Sequence, residues 1–209
     1  MSCMRFRYPR LKKLHAGVRN ALVNIGAGES GRSGWINIDA FPRANISIVC
    51  DCRQKLPLPD GSARGVFTEH FFEHLEYYSE GPAFIRDAFR ILRPGGTLRI
   101  VVPDAEQYLR AYCTDGWAPM ISLRKLQADM TDPWLQVRVK SKMEMVNIVF
   151  RQLGEHKFAY DYDTMELVLA EAGFTRIERS RFGVSRDPEM AIDLESRARE
   201  SMYVEATRP

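Results

Sequence analysis

The chain has 209 residues, of which 45% are hydrophobic and 27% charged, enough for one domain with a sizeable core. No apolar run approaches the roughly 20 residues that cross a bilayer. Arg7, Arg10, Lys12 and Lys13 break up any signal-peptide core. Six of the 30 basic residues fall within positions 1–20, which hold no acidic residue, so the remainder carries 24 basic against 27 acidic residues. A basic stripe with interleaved aromatics is absent from that remainder, so no nucleic-acid partner is expected. The basic arm over 1–20 is a solvated leader with scope for peripheral contact with an anionic surface.

Four cysteines, Cys3, Cys50, Cys52 and Cys113, do not make a disulfide framework in a chain this long. Free thiols in a reducing cytoplasm are expected. Cys50 and Cys52 are one residue apart, a poor spacing for a zinc pair, and no metal site is expected.

In chain order, a short apolar strand over 21–25 stops at Gly26-Ala27-Gly28, a turn whose backbone something must approach closely. The Gly- and Ser-rich segment 29–34 cannot hold a helix. A second strand over 35–38 ends on Asp39, and a third over 45–50 ends on Asp51. After the turn-rich 56–61, a fourth strand over 65–68 ends on Glu69 and His70. Phe84, Ile85, Ala88, Phe89 and Leu92 then fall on one helical face. That helix stops at Arg93-Pro94-Gly95-Gly96. A fifth strand over 97–102 is closed by Pro103, and Asp104 with Gln107 caps the next helix.

Residues 117–155 break the strand–helix rhythm and are expected to be a helical insertion or lid, with helices near 119–129 and 135–152. Asp163-Thr164-Met165-Glu166 is expected to cap a last helix ending at Gly173. Final strands over 174–181 and 201–206 form an antiparallel pair at one edge, joined by a long charged loop. The expected architecture is a single α/β domain over 1–209. It is Rossmann-like, with a mostly parallel seven-stranded sheet, helices on both faces and an antiparallel edge strand.

The polar residues gather at one place in that architecture. Gly26 and Gly28, Asp39, Asp51, Glu69 and His70 all follow strands, and ligands of open parallel sheets bind at the carboxyl edge. An acid after the second strand can accept hydrogen bonds from vicinal ribose hydroxyls, and Asp51 can accept from an adenine amine. Gly31 completes a G-x-G-x-x-G, yet Asp39 lies only 11 positions after Gly28. That leaves no room for the helix that faces a pyrophosphate in dinucleotide sites. A cofactor without a pyrophosphate fits better than NAD.

These residues resemble class I S-adenosylmethionine-dependent methyltransferases. The resemblance is carried by Val23-Asn24-Ile25-Gly26-Ala27-Gly28, Gly34-Trp35-Ile36-Asn37-Ile38-Asp39, Cys50-Asp51, Leu56 to Ser62, Glu73-His74-Leu75 and Leu92 to Leu98. It resumes at Gly154-Glu155-His156-Lys157, Tyr160-Asp161, Glu171 to Phe174 and Glu200 to Ala206. The short glycine turn and the His-Lys segment look like a subgroup associated with bacterial surface-polysaccharide synthesis.

The resemblance implies S-adenosylmethionine as cofactor. Gly26, Ala27 and Gly28 would line its methionine portion, and Asp39 would hold the ribose. Asp51 and Cys52 would sit by the adenine, with Glu69 and His70 beneath the reacting methyl. The chain departs from the family at Asn24, where an acid is common, and at Ala63-Arg64, where Phe-Asp is common.

Methyl transfer to a hydroxyl of ordinary pKa needs a base. His70 and His156 are the candidate catalytic residues; His156 lies where an acceptor could dock. His74 is expected to be structural. The leading expectation is a methyltransferase acting on a small-molecule or carbohydrate-linked acceptor, with O-methylation. The alternatives are a catalytically idle cofactor-binding module and an NAD-dependent oxidoreductase.

Overall fold

A computed structural model describes residues 17–209. The expected basic arm therefore lies almost wholly outside the described residues. Seven strands form one sheet: β1 (Ala21–Ile25), β2 (Ile36–Asp39), β3 (Ile48–Val49), β4 (Ala63–Glu69), β5 (Leu92–Pro103), β6 (Thr175–Arg179) and β7 (Ser201–Thr207). Their order is β3-β2-β1-β4-β5-β7-β6. The first five strands are parallel, while β7 runs antiparallel between β5 and β6. Strand order reverses between β1 and β4, which opens a crevice at their carboxyl ends.

Among the described residues there are five α-helices: α1 (Glu80–Ile91), α2 (Ala105–Cys113), α3 (Ala118–Arg124), α4 (Lys142–Arg151) and α5 (Tyr162–Glu171). None is long and apolar enough to cross a membrane.

The two faces of the sheet are covered differently. On one, Val23, Ile25, Val66, Leu98, Ile100 and Val204 pack against Phe84, Ile85 and Ala88 of α1 and Met165 and Leu169 of α5. On the other, Leu22, Phe67, Val101 and Tyr203 pack against Trp35, Met190 and Ile192. The segment after the glycine turn is non-helical, as expected. Its place over the sheet is taken by the 180–199 loop, with 3-10 turns at Pro188–Met190 and Glu195–Arg197.

Gly65 makes room for this loop, because a β-carbon there would lie 2.5 Å from the Met190 sulfur. Arg64 pairs with Asp187 and Glu189 beside it. Fully buried Arg99 donates to Asp193 at 2.9 and 2.6 Å, to Glu205 at 2.9 Å and to the Val184 carbonyl at 2.8 Å. The charged loop is thus anchored by an arginine projecting from β5.

Local chemistry moves several element boundaries. β3 keeps only two of the six expected residues. Asn45 turns its amide to the Gly28 carbonyl, and the Ile46 amide bonds the Arg43 carbonyl. In β5, Ala63 pairs with Leu92 and Gly65 with Thr97, so Arg93–Gly96 loops out as a bulge within the strand and not as a turn before it. The insertion holds less helix than its pattern suggests. α3 ends where Lys125 takes a left-handed φ of 57°, and α4 starts only where Ser141 accepts a hydrogen bond from the Glu144 amide. Between them Asp132 caps a turn through the Trp134 and Leu135 amides. The last helix is capped by Asp161, which accepts from the Thr164 amide at 2.9 Å, and not by Asp163.

The insertion forms a second core with α2, in which Met120, Met145 and Val149 pack with Tyr108 and Ala111. Buried Arg124 ties it to the sheet, donating to Asp132 at 2.6 Å and to Glu200 at 2.7 Å.

Candidate functional site

At the carboxyl ends of β1, β2 and β4 lies a cleft of about 630 Å³ lined by Gly26, Gly28, Asp39, Phe41, Asp51, Cys52, His70, Phe71, His74 and Leu75, among others. That volume is in the range of ligand pockets, ~300–1,000 Å³. Six of the residues expected to form the site meet here: Gly26, Gly28, Asp39, Asp51, Cys52 and His70.

The glycine turn is built to leave backbone exposed. The Gly26 and Ala27 amides both donate to the Ile38 carbonyl, at 2.9 and 3.1 Å, which folds the turn over the end of β2. Gly26 has a φ of +70°, and a β-carbon on it would meet the Phe71 ring at 2.7–2.8 Å. Gly28 has a φ of +49° with no neighbouring atom where a β-carbon would stand. The space above Gly28 is therefore free for a ligand. Asp39 latches the turn, since one carboxylate oxygen accepts from the Gly28 amide and the other from the Phe41 amide, both at 2.9 Å. Each oxygen retains a lone pair for a ligand hydroxyl. Asn24 is buried and donates to the Ser30 carbonyl at 3.3 Å, so it braces the turn.

On the far wall, Asp51 is held below the usual carboxylate range by its hydrogen bonds with Arg53. Cys50 and Cys52 are free thiols, and Cys52 donates toward the Cys50 carbonyl at 3.6 Å. The hydrogen bond with Cys50 and burial push the Cys52 thiol far up, so it stays protonated and inert. These residues fit a ligand carrying hydroxyls at one point and a flat amine-bearing ring at another.

His70 follows β4 with a φ of +49°, a backbone conformation uncommon outside glycine. Its Nε2 lies 2.8 Å from the Ser201 hydroxyl and its Nδ1 3.4 Å from Glu73. Burial, then the positive charge of Arg197, holds the imidazole well below its ordinary pKa, so it is neutral at physiological pH.

Three expected site residues stand elsewhere. Ala27 is buried beneath the turn. Glu69 faces the 180–199 loop and accepts from the Leu194 amide at 3.0 and 3.3 Å, because its position on β4 sends the side chain away from the cleft. Burial pushes Glu69 up to about 7. His156 is buried behind His74, with its Nδ1 on the Val149 carbonyl at 2.6 Å, and burial takes it down to about 4.

Phe41, Phe71, His74 and Leu75 line the cleft without having been expected there. Phe41 is 68% exposed two residues past a strand-ending acid, and an aromatic in so polar a loop was the available signal. Phe71 and His74 gave none, because which side of a single 3-10 turn meets the cleft depends on tertiary packing.

Residues 36–100 match a family model for a methyltransferase domain, which covers less than half of the chain. No curated protein matches in sequence. A structure from Thermotoga maritima, described as a SAM-dependent methyltransferase and possible histamine N-methyltransferase, aligns at 12% identity and a TM-score of 0.54. The alignment covers 97% of this chain and 87% of that one. A SAM-dependent methyltransferase from Archaeoglobus fulgidus aligns at 16% identity and a TM-score of 0.52, over 96% of this chain and 92% of that one. The CurJ carbon methyltransferase aligns at 12% identity and a TM-score of 0.51, over 95% of this chain and 50% of that one. The chain thus has the Rossmann-like fold of SAM-dependent methyltransferases, and S-adenosylmethionine is the cofactor that the matched domain and these neighbours support.

Proposed function

We propose that the protein transfers a methyl group from S-adenosylmethionine to a hydroxyl of a small-molecule or carbohydrate-linked acceptor in the cytoplasm. The observation that carries this reading is the convergence of Gly26, Gly28, Asp39, Asp51 and Cys52 on one cleft at the point where strand order reverses. When bound, the cofactor supplies an electrophilic methyl on a sulfonium. Asp39 accepts hydrogen bonds from the ribose hydroxyls, and Asp51 with the Cys52 backbone receives the adenine. The exposed backbone at Gly28 lets the methionine portion lie close.

His70 is the base candidate at the cleft. Its ring is neutral and Ser201 holds it at Nε2, so a proton from an acceptor hydroxyl would have to displace the contact with Ser201 or Glu73. His156 does not reach the cleft, so it takes no part in proton transfer in this reading. The fold leaves the acceptor atom open, since neighbours with the same sheet are named for nitrogen and for carbon. The resemblance to surface-polysaccharide enzymes supports a glycan precursor carrying a free hydroxyl.

Calorimetric titration with S-adenosylmethionine, S-adenosylhomocysteine and NAD tests the cofactor. Both sulfur ligands should bind and NAD should not; binding of NAD alone overturns the reading. Asp39→Ala should weaken S-adenosylhomocysteine by ~1–3 kcal/mol, the range for lost hydrogen bonds to a charged acceptor. Labelled methyl donor offered with envelope-glycan precursors then tests transfer. Binding without transfer to any acceptor would favour the idle module, whose support is the replacement of the usual acid by Asn24.

A further inference from the structure

Behind the cleft, the 3-10 turn Phe72–His74 meets the segment that follows α4. The two are pinned together by the Lys157 and Phe158 amides, which donate to the Glu73 carbonyl at 2.8 and 3.3 Å. The Glu73 side chain points into this junction. The residue is 1% exposed, and neither carboxylate oxygen has a hydrogen-bond partner. A carboxylate buried with no partner is costly, and native structures seldom keep one without a ligand, water or ion. Two imidazoles lie within 4 Å of it. His70 Nδ1 lies 3.4 Å and His156 Nε2 3.8 Å from Glu73 Oε1.

The ligand atoms of Glu73, His74 and His156 all lie within 4.8 Å of one another. His156 gives its Nδ1 proton to the Val149 carbonyl at 2.6 Å, which fixes the tautomer and leaves the Nε2 lone pair facing Glu73. A backbone carbonyl that orients an imidazole in this way is the usual outer support of a metal-ligating histidine. The His74 and His156 rings pack edge to face with centroids 4.7 Å apart.

We propose that Glu73, His74 and His156 form a binding site for a divalent transition-metal ion, with Zn²⁺ the best match to two imidazoles and one carboxylate. Calcium and magnesium take oxygen ligands and are poorly served by this set. Ligand atoms around a tetrahedral zinc at about 2.0–2.1 Å lie roughly 3.4 Å apart, so side-chain rotations that draw the three together complete the shell. With three protein ligands, one position stays open. His74 also lines the cleft, so the site adjoins it. The site does not depend on the methyl-transfer reading, and the experiment below uses no methyl donor. Sequence alone pointed to no metal because Glu73-His74 and His156 come from distant segments, with no ligand spacing to recognise.

The test is titration of the chelator-treated full chain with Co²⁺, followed by visible absorption. One equivalent should give the d–d bands of a low-coordinate nitrogen–oxygen site, and Zn²⁺ should displace it. Glu73→Gln and His74→Asn, the latter at a half-buried position, should each weaken Co²⁺ at least tenfold, while circular dichroism confirms that they fold. Cys52→Ser should leave binding unchanged. A wild-type chain that gives no saturable Co²⁺ spectrum overturns the proposal. So does a spectrum with thiolate charge transfer that survives His74→Asn and disappears in Cys52→Ser.

Discussion

A methyl group added at Gly26 would have two faults at once. The backbone sits at a φ of +70°, and the new carbon would lie 2.6 Å from the β-carbon of Phe71. Gly26→Ala should therefore lose roughly 1–3 kcal/mol, the usual cost of overpacking, measured by chemical denaturation. Measured against a Phe71→Gly background, part of that loss should be recovered, because the clashing β-carbon and ring are both removed while the unfavourable φ remains. No recovery in the double variant would mean that backbone strain alone sets the cost. Asp39 is likewise more than a ligand acceptor. It latches the Gly28 amide, so Asp39→Ala should loosen the turn as well as weaken the cofactor, and Asp39→Asn, which keeps one acceptor oxygen, should lose less. Residues of this kind were legible in the sequence because a glycine pair or an acid directly after an apolar strand is confined to one edge of the sheet. Glu69 satisfies the same rule and still faces elsewhere. Strand position fixes the edge, but the alternation of β4 puts Glu69 on the Phe67 side of the sheet, where the 180–199 loop meets it.

Elements were legible where one physical signal dominated. α1 was visible because its apolar stripe matches a helical period and ends at the Pro-Gly-Gly bulge. The insertion was legible only as two helices of excessive length, because the polar turns between them are stabilised by contacts that leave no periodic trace, such as Asp132 capping the Trp134 and Leu135 amides while ion-paired to Arg124. The last helix offers a sharp test of local chemistry, since two aspartates near its start compete as the cap. Asp161 has extended backbone and accepts from the Thr164 amide, whereas Asp163 lies inside the first turn. Asp161→Ala should cost about 1 kcal/mol, the usual price of a lost cap, and Asp163→Ala much less. The hydrogen bonds to Thr164 also hold the Asp161 carboxyl below its ordinary range. Its contribution is therefore present above the unfolded pKa and is lost as pH falls through the lowered folded value. The difference between the two variants, read from thermal melts at neutral pH, should shrink in acid.

For the molecule as a whole, the mostly parallel sheet and its antiparallel end could be read from the chain. Its second face could not. The absence of a helix after the glycine turn was readable, but nothing local says that Met190, Ile192 and the Arg99 ion cluster would cover the space. Glu69 stands at that seam and reports on it. Its carboxyl accepts from the Leu194 amide and faces Asp193, Arg197 and Arg99, and burial raises it from 4.5 to about 7. Between those two values the folded chain keeps a proton that the unfolded chain has released. Folding stability from this group is therefore complete below about pH 4.5 and declines as pH rises to about 7. The shift corresponds to a loss of up to roughly 3 kcal/mol. Glu69→Gln keeps an acceptor for Leu194 and has no proton to lose. Denaturation curves of the two proteins from pH 4.5 to 8 should show the wild type losing ground to the variant up to about pH 7, then running parallel to it. A constant difference across the range would show that Glu69 ionises in the folded chain as freely as in water, and that the 180–199 loop does not seal this face of the sheet.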